Sequence, residues 1–320
     1  MNTKFLLYIF KRLGMAVLTM FLVIAITFCV MHAIPASPFN AEKALSDETI
    51  AALEAKYGFD KPVPVQFLNY LANILRGDFG LSTKWVGSTV SELIMGGFSY
   101  SMKLGLSAAG MAIVVGVILG ALAALKRGKL LDKIIQVVTT ALVSMPSFVI
   151  ATLLLIIFAL RLGWAPTMAT QPGGMVLPAL SLSLYPMTYI TRLERSAMLD
   201  VLGQDYIRTA RAKGLKNTRV IFKHALKNSM GPVITYAGPM MAYILTGSMV
   251  VENIFSVPGL GRLFVNSMLR TDYMMIMGIM IIAAAAIVAD KSTVLWLSKM
   301  TRPRGSVILS ISLSISSGFR

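Results

Sequence analysis

Charged residues are scarce in this sequence, and that scarcity is its most informative feature. Only 14% of the 320 residues are Asp, Glu, Lys or Arg, whereas 56% are hydrophobic. Soluble domains carry roughly 25% charged residues, so the composition indicates an integral membrane protein. Because Cys29 is the single cysteine, an intrachain disulfide and a metal site built from several cysteines are both excluded.

Motifs for nucleotide binding and catalysis are missing as well. No G-x-x-x-x-G-K-[ST] segment occurs, because Gly128 and Lys129 lack both the upstream glycine and the following Ser or Thr. Neither G-x-S-x-G nor H-E-x-x-H is found. The only histidines, His32 and His224, are expected to form hydrogen bonds rather than to bind a ligand or relay protons. We therefore expect a chain that is not an enzyme, has no cofactor of its own and cannot hydrolyse ATP alone.

Acidic residues are about half as frequent as basic ones. The 14 Asp and Glu against 30 Lys and Arg give a formal net charge of +16. A charge of this size suits nucleic acid, but the basic residues lie in short loops beside apolar runs. That distribution is the one that anionic lipids and the positive-inside rule produce. The expected partner of these charges is therefore the lipid bilayer, and no nucleic acid is expected.

Long apolar runs are the most abundant feature of the sequence. A bilayer core about 30 Å thick requires roughly 20 helical residues. The loops richest in Lys and Arg alternate with the others, so they share the cytoplasmic side. The predicted fold class is all-α, a polytopic membrane protein with six transmembrane helices and both termini in the cytoplasm. The predicted spans cover about residues 13–34, 100–125, 134–160, 175–189, 230–251 and 273–288.

The stretch between the first two spans is the only sizeable segment outside the membrane. Within it, residues 47–56 and 65–75 are predicted to form short helices, the second of them amphipathic. The predicted divisions of the chain are 1–34 (cytoplasmic N-terminus and first span), 35–98 (extracytoplasmic segment), 99–290 (five-helix core with the cytoplasmic loop 197–230) and 291–320 (an atypical tail).

Glycine and proline occur inside the predicted spans. Gly116 and Gly120 have the small-xxx-small spacing that lets helices approach closely, in a moving or a static interface. Pro146, Pro186 and Pro239 lie in or near the third, fourth and fifth spans. Such prolines bend membrane helices, either around a pathway or without functional consequence.

Ionisable residues deep in the membrane would indicate a function such as ion coupling. Lys103, Glu194, Glu252 and Asp290 all fall near the ends of predicted spans, where snorkelling or pairing at the interface is sufficient. An ion-coupled transporter or channel is therefore the less favoured alternative function.

The longest strongly basic segment lies between the fourth and fifth spans. From Arg192 to Lys227 the sequence has nine Lys or Arg and three Asp or Glu, a net charge of +6. Asp205 is expected to cap a helix over residues 206–213, and Gly214 suits the left-handed position that ends a helix. A rigid helix here can pass force from a docked partner into the spans. An ordinary positive-inside loop explains the same charges, and the residues alone leave both interpretations open.

Two stretches of this loop, 206–214 (YIRTARAKG) and 224–228 (HALKN), resemble the coupling loop of the permeases of ATP-binding-cassette importers. In that family the pattern is Glu-Ala-Ala, three residues and then Gly. Residues 208–210 (RTA) take the first three positions and Gly214 takes the last. The resemblance is greatest to the branch that imports oligopeptides, dipeptides, nickel and glutathione, in which the missing Glu is usual.

Further segments resemble the same branch in the same order, over about residues 8–290. From Lys291 onward the sequence departs from the family pattern, and residues 308–316 alternate apolar residues with serine. The matching segments are 60–67, 77–80, 144–148 and 250–261.

The resemblance implies a first-type permease in the plasma (inner) membrane of a bacterium. Its expected partners are a homologous second permease, two cytoplasmic ATP-binding subunits that hold ATP and Mg²⁺, and an extracytoplasmic substrate-binding protein. Peptides are the favoured substrate and nickel or glutathione the alternatives, while no substrate-binding residue is assigned. The residues expected to couple to the ATPases are Asp205, Tyr206, Arg208, Thr209, Ala210, Arg211, Lys213, Gly214, His224 and Asn228.

Overall fold

Helices make up nearly all the regular structure in the computed structural model, which describes residues 3–33, 55, 58–85 and 87–300. Within these described residues the only strand-like pairing is an isolated antiparallel bridge between Leu81 and Thr89. The all-α prediction is therefore confirmed for this part of the chain. Apart from residue 55, the predicted helix at 47–56 lies outside the described residues, and so does the alternating stretch at 308–316.

The helices are numbered in chain order. They are α1 (Thr3–Ala33), α2 (Val63–Leu75), α3 (Val90–Leu125), α4 (Leu130–Ser144), α5 (Ser147–Leu154), α6 (Val176–Leu202), α7 (Asp205–Ala212), α8 (Asn217–Arg219), α9 (Lys227–Leu245), α10 (Met249–Ile254), α11 (Leu260–Leu269) and α12 (Tyr273–Met300). Two π-helical segments extend this set, Leu155–Arg161 after α5 and Val220–Leu226 between α8 and α9.

Length and hydropathy single out two helices as complete membrane spans within the described residues. They are Phe10–Ala33, the apolar part of α1, and Val90–Leu125, which is α3. A broken pair, Leu130–Ser144 with Ser147–Arg161, is apolar enough to be a third span, and Tyr273–Val288 is a shorter apolar helix. The chain is thus a polytopic helical protein, while the count of six spans stays a prediction.

The predicted third span is not a continuous helix. α4 and the helix that follows it are bent by 106° at the break around Pro146. Met145 has extended backbone torsions, φ −88° and ψ 135°, because the ring of a following proline disfavours the helical conformation. The proline thus breaks this helix outright.

α3 begins well before the second span predicted at residue 100. Thr89 caps its first turn: the Thr89 hydroxyl oxygen accepts a hydrogen bond from the Glu92 amide (3.2 Å), and the Glu92 carboxylate accepts one from the Thr89 amide (3.1 Å). This reciprocal capping box satisfies two amides that have no partner inside the helix. The last part of the predicted outer segment 35–98 is therefore helix continuous with the span.

Glycines bring α3 against α6. A Cβ added at Gly116 would lie 2.9 Å from the Ile190 Cβ, and one added at Gly120 would lie 2.6 Å from the Thr191 carbonyl oxygen. No side chain fits at either position, which confirms the close approach predicted from the small-xxx-small spacing. Around this contact α3, α6 and α9 share an apolar core.

Glu252 is fully buried, although it was expected to lie at an interface. One carboxylate oxygen accepts hydrogen bonds from the Ser101 hydroxyl (2.8 Å) and the Ser248 amide (3.3 Å), and the other accepts one from the Arg262 amide (3.1 Å). A Cβ at Gly259 would lie 2.6 Å from the Glu252 carboxyl carbon. The carboxylate thus fixes α10 and the start of α11 to α3.

Asp272 has a matching role at the start of α12. It is fully buried, and its carboxylate accepts hydrogen bonds from the Ser82 hydroxyl, the Thr83 amide (3.4 Å) and the Met275 amide (3.2 Å). We call Glu252 and Asp272, with the groups that donate to them, the outer junction. Both carboxylates hold helix starts in place, because unpaired amides and the helix dipole favour negative charge there.

Candidate functional site

The basic loop forms a short amphipathic helix, α7, which runs over Asp205–Ala212. Its first turn follows Gln204, whose backbone is extended and whose side chain makes no capping hydrogen bond. The prediction that Asp205 is the cap is therefore wrong by one residue. Asp205 instead lies in the first turn, where its charge suits the helix dipole, and its carboxylate is 3.6 Å from the Arg208 guanidinium.

Gly214 ends α7 as predicted. Its φ is +74°, in the left-handed region that glycine adopts without steric cost. The Gly214 amide donates to the Arg211 carbonyl (2.9 Å), and the Leu215 amide donates to the Ala210 carbonyl (3.3 Å). These two bonds form the Schellman motif, which satisfies carbonyls that the helix end leaves free. Leu215 packs beside the same apolar cluster as Ala210, so the turn is held by backbone and side-chain contacts alike.

The inner face of α7 rests on the ends of three other helices. Ile207 is fully buried and Ala210 nearly so, and both belong to one apolar cluster with Ala124 of α3, Met198 of α6 and Val220 of the π-helix before α9. We call this apolar contact the α7 seat. Ala210, expected among the residues that meet a partner, faces this seat.

The outer face of α7 carries its charges. Tyr206, Arg208, Thr209, Arg211 and Lys213 are all exposed to solvent. The Thr209 hydroxyl donates to the Asp205 carbonyl (3.0 Å) within the helix, which leaves the cationic side chains as the main chemistry offered outward. An exposed row of cations suits an acidic or polar surface on a soluble protein.

Tyr206 and Asn228 tie α7 to the start of α9. The Asn228 side-chain amide lies 3.3 Å from the Tyr206 hydroxyl oxygen and donates to the His224 carbonyl (2.9 Å). The structure therefore brings three of the predicted residues together, with Tyr206 lying 22 positions before Asn228 in the sequence. His224 itself lies in the π-helical segment and is half-buried.

An ion pair that the sequence did not reveal braces α4 against α6 near this loop. Arg195 binds the Asp132 carboxylate through two hydrogen bonds of 2.8 and 2.9 Å, and Asp132 is only 2% exposed. The Gly128 amide and the Gln136 side chain also donate to Asp132, each at 2.9 Å. An arginine that binds a carboxylate through two parallel hydrogen bonds forms a stronger contact than a single hydrogen bond between neutral groups. The sequence shows opposite charges in two separate loops, but it does not show that the two residues lie close together.

Glu194, like Glu252, is enclosed by protein rather than snorkelling or paired with a cation. It is fully buried, and the Ser229 hydroxyl lies 2.5 Å from one of its carboxylate oxygens. Its Cβ lies close to Gly120, since a Cβ added there would be 2.7 Å away. Glu194 therefore links α6 to α9 beside the contact that Gly120 of α3 makes with α6. Lys103 is exposed as expected, with its ammonium group 5.7 Å from the Tyr100 ring centre.

Comparison with known families explains this set of features. The model of the binding-protein-dependent transport system inner membrane component matches residues 116–304, which include α7 and its seat. The model of the N-terminal part of the same membrane component matches residues 5–89. The chain belongs to this family. The permease is accordingly a multi-pass protein of the bacterial inner membrane. Since the match extends to residue 304, the expectation that the likeness ends near Asp290 is wrong.

Curated relatives agree over most of the permease. It is 44% identical over 278 residues to the oligopeptide transport system permease protein OppB of Haemophilus influenzae, covering 86% of this chain and 91% of the relative. It is 43% identical over 272 residues to the dipeptide transport system permease protein DppB of Bacillus subtilis, covering 85% and 88%. Relatives named for two peptide classes are thus about equally similar.

A solved structure supports the architecture. A chain in an inward-facing crystal form of the MetNI methionine ABC transporter matches the permease with a TM-score of 0.56 at 14% identity. The match covers 67% of the permease and 98% of that chain. At this level of identity the likeness shows a shared fold alone.

Proposed function

We propose that the permease forms, with a homologous second permease, the membrane pathway of an ATP-binding-cassette importer for oligopeptides or dipeptides. Two cytoplasmic subunits bind ATP and Mg²⁺ and dock on the α7 loop, and an extracytoplasmic binding protein delivers the substrate. Hydrolysis takes place in those partners, and this chain contributes the pathway. Family membership and the identities to named peptide permeases support the proposal.

The single observation that carries the proposal is the seat of α7. The helix exposes cations on one face and buries Ile207 and Ala210 on the other. An ordinary positive-inside loop needs no buried contact, whereas a part that transmits force needs one. We therefore favour the force-transmitting interpretation of the basic loop.

The contacts of the seat define where the force goes. Displacement of α7 pushes on Ala124 of α3 and Met198 of α6, and it pulls on α9 through Tyr206 and Asn228. Because packed helices move as rigid units, a small displacement at the cytoplasmic end reaches the middle of α6 and α9. A bias of a few kcal/mol between inward- and outward-open states is enough to drive alternating access.

We infer that peptides are the substrate, because the relatives are named for oligopeptide and dipeptide transport. The similar identities to both leave peptide length open. Nickel and glutathione are the other substrates that the branch implies. An ion-coupled mechanism is disfavoured, because the chain belongs to a family of binding-protein-dependent transport components.

We further propose that the chain crosses the membrane six times with both termini in the cytoplasm. α6 and α9 supply the fourth and fifth spans, since both pack on α3 in the shared core. This arrangement places the α7 loop inside and the outer junction outside, as the distribution of Lys and Arg requires.

Reconstitution of the complete importer tests the function. The permease is co-expressed with its partner permease and ATP-binding subunits, placed in nanodiscs and supplied with the purified binding protein. We expect ATP hydrolysis to rise when the binding protein is loaded with di-alanine or tri-alanine, and not with Ni²⁺ or glutathione. Stimulation by Ni²⁺ or glutathione alone would replace the peptide assignment. Failure of the ATP-binding subunits to co-purify would refute the importer itself.

A further inference from the structure

A cleft of about 670 Å³ opens between the α4–α5 break, α6 and α9. Three prolines lie on its walls: Pro146 at the break, Pro186 inside α6 and Pro239 inside α9. Interrupted backbone at membrane depth is tolerated where it is covered by protein or lines a water-filled cavity. The break at Pro146 therefore favours contact of this cleft with water or polar cargo over contact with lipid, while Pro186 and Pro239 lie within helices that stay continuous.

A buried hydroxyl in this cleft has no partner. Ser181 is 7% exposed, and among the described residues its Oγ makes no hydrogen bond. Ser183, two residues further along the same helix, is fully buried but donates to the Leu180 carbonyl (2.8 Å). A buried polar group without a partner lowers the stability of the protein. A molecule that enters the cleft and bonds to Ser181 removes that loss of stability.

The same wall offers an acceptor. Pro186 has no amide hydrogen, so the carbonyl of Leu182, four residues earlier, loses its usual helical donor. Leu182 also lines the cleft. A hydroxyl that donates and a carbonyl that accepts, close together on one helix, match the alternating polar groups of a peptide backbone.

Tyrosines and apolar side chains form the rest of the surface. Tyr185 and Tyr243 are 58% and 78% exposed, and Tyr236 packs against Tyr189 with ring centres 4.4 Å apart. Tyrosine combines an apolar ring with a polar tip, which suits varied neighbours. None of the described residues that line the cleft is charged. The surface therefore accepts uncharged backbone and apolar side chains, and it offers no carboxylate or imidazole to a metal ion.

We propose that this cleft is the part of the peptide pathway contributed by this chain, with Ser181 and the tyrosines contacting the backbone and side chains of a passing peptide. The proposal rests on the peptide importer proposed above and assigns the surface that the sequence left unassigned. Weak contacts through neutral groups let cargo of varied sequence enter and leave.

Cysteine labelling tests whether the cleft is wet. In a Cys29→Ser background within the reconstituted importer, Tyr185→Cys and Tyr243→Cys are exposed to a charged, water-soluble methanethiosulfonate. Val17→Cys, at a 62% exposed apolar position of the unbroken α1, is the control. We expect both cleft cysteines to react faster than Val17→Cys. Reaction only with a lipid-soluble maleimide, at the rate of Val17→Cys, overturns the proposal whether or not the complex transports peptide.

Uptake of tri-alanine tests the contact itself. Ser181→Ala is compared with Ser183→Ala, since both remove a buried hydroxyl from the same helix. We expect Ser181→Ala to raise the KM for uptake about threefold to tenfold, the worth of one neutral hydrogen bond, and Ser183→Ala to leave it near the wild-type value. Equal effects of the two variants would overturn the role of Ser181. Absence of tri-alanine uptake by the unaltered complex would instead count against the peptide function, leaving the labelling result to decide the cleft.

Discussion

The α7 loop and the outer junction hold themselves together in opposite ways. The loop exposes its charges and is anchored by apolar contacts of Ile207 and Ala210. The outer junction buries its charges, Glu252 and Asp272, and is anchored by hydrogen bonds from amides and hydroxyls. Exposed charges are available to a partner, whereas buried and fully bonded ones are not. Under the proposed function the first region meets another protein, whereas the second region stays fixed.

This contrast separates two kinds of mutational effect. A change in the outer junction removes acceptors from buried donors and should lower stability. A change on the outer face of α7 removes nothing buried and should act on docking or coupling instead. The following experiments test that separation, beginning with the largest effect.

The two regions should lie on opposite sides of the membrane. In a Cys29→Ser background, Asn69→Cys on α2 should react with an impermeant thiol reagent added outside intact cells, and Gly128→Cys should not. Both positions are exposed, so accessibility across the membrane is the variable. Disruption of the cells should make Gly128→Cys reactive. The opposite pattern would contradict the orientation and exchange the assigned sides of the two regions.

Removal of a buried carboxylate should unfold the permease more readily. Glu252→Ala leaves the Ser101 hydroxyl and two amides without their acceptor. We expect a loss of about 3–5 kcal/mol in the free energy of unfolding, since each buried unsatisfied donor costs about 1–3 kcal/mol.

The matched control is Glu92→Ala, which removes a carboxylate from an exposed capping box and should cost about 1 kcal/mol. Unfolding in mixed micelles of increasing sodium dodecyl sulfate content compares the two. Similar losses for both variants would show that burial of Glu252 is not what stabilises the outer junction.

These two regions also differ in how far the sequence predicts them. α7 and its end follow from local features, because a periodic apolar pattern and a glycine act over a few residues. Its exact start was missed by one residue, since Gln204 supplies only backbone geometry and no recognisable cap. The Ser101–Glu252 bond joins residues 151 positions apart. No local pattern reports such a contact, so Glu252 was placed at an interface.

Proline shows the same limit within the spans. Pro146, Pro186 and Pro239 each predict a bend, and the sequence says nothing about where the bends meet. Only Pro146 breaks its helix sharply, by 106°, while the other two lie inside continuous helices. Their shared cleft depends on how α4, α6 and α9 pack. The candidate pathway surface is therefore a tertiary property.

Strain at the end of α7 should weaken coupling without unfolding the core. Gly214→Val places a β-branched residue at a φ of +74°, which costs about 1–3 kcal/mol locally. The reoriented α7 should transmit less force, so peptide-stimulated ATP hydrolysis should fall several-fold while membrane levels stay normal. ATP hydrolysis in the reconstituted complex is the measurement.

Gly163→Val is the control for Gly214→Val, because Gly163 also has a left-handed φ, +63°, and open space around an added Cβ. Gly163→Val therefore introduces the same backbone strain at a position outside the α7 loop. Normal stimulation in Gly214→Val, or an equal loss in Gly163→Val, would refute a specific role for the end of α7.

The smallest effect is expected from a single exposed charge. Arg211→Ala should change the free energy of unfolding by no more than about 0.5 kcal/mol, because exposed substitutions away from special features rarely do more.

Binding of the ATP-binding subunits to the Arg211→Ala variant should weaken up to about fivefold, since exposed ion pairs contribute about 0.2–1 kcal/mol. Arg127→Ala, at an exposed arginine of the loop between α3 and α4, should leave binding unchanged. The difference should shrink as salt rises, because surface charges are screened within about 10 Å at 0.1 M salt. Pull-down at two salt concentrations measures it, and a salt-independent loss would mean that Arg211 acts by shaping α7 rather than by presenting charge.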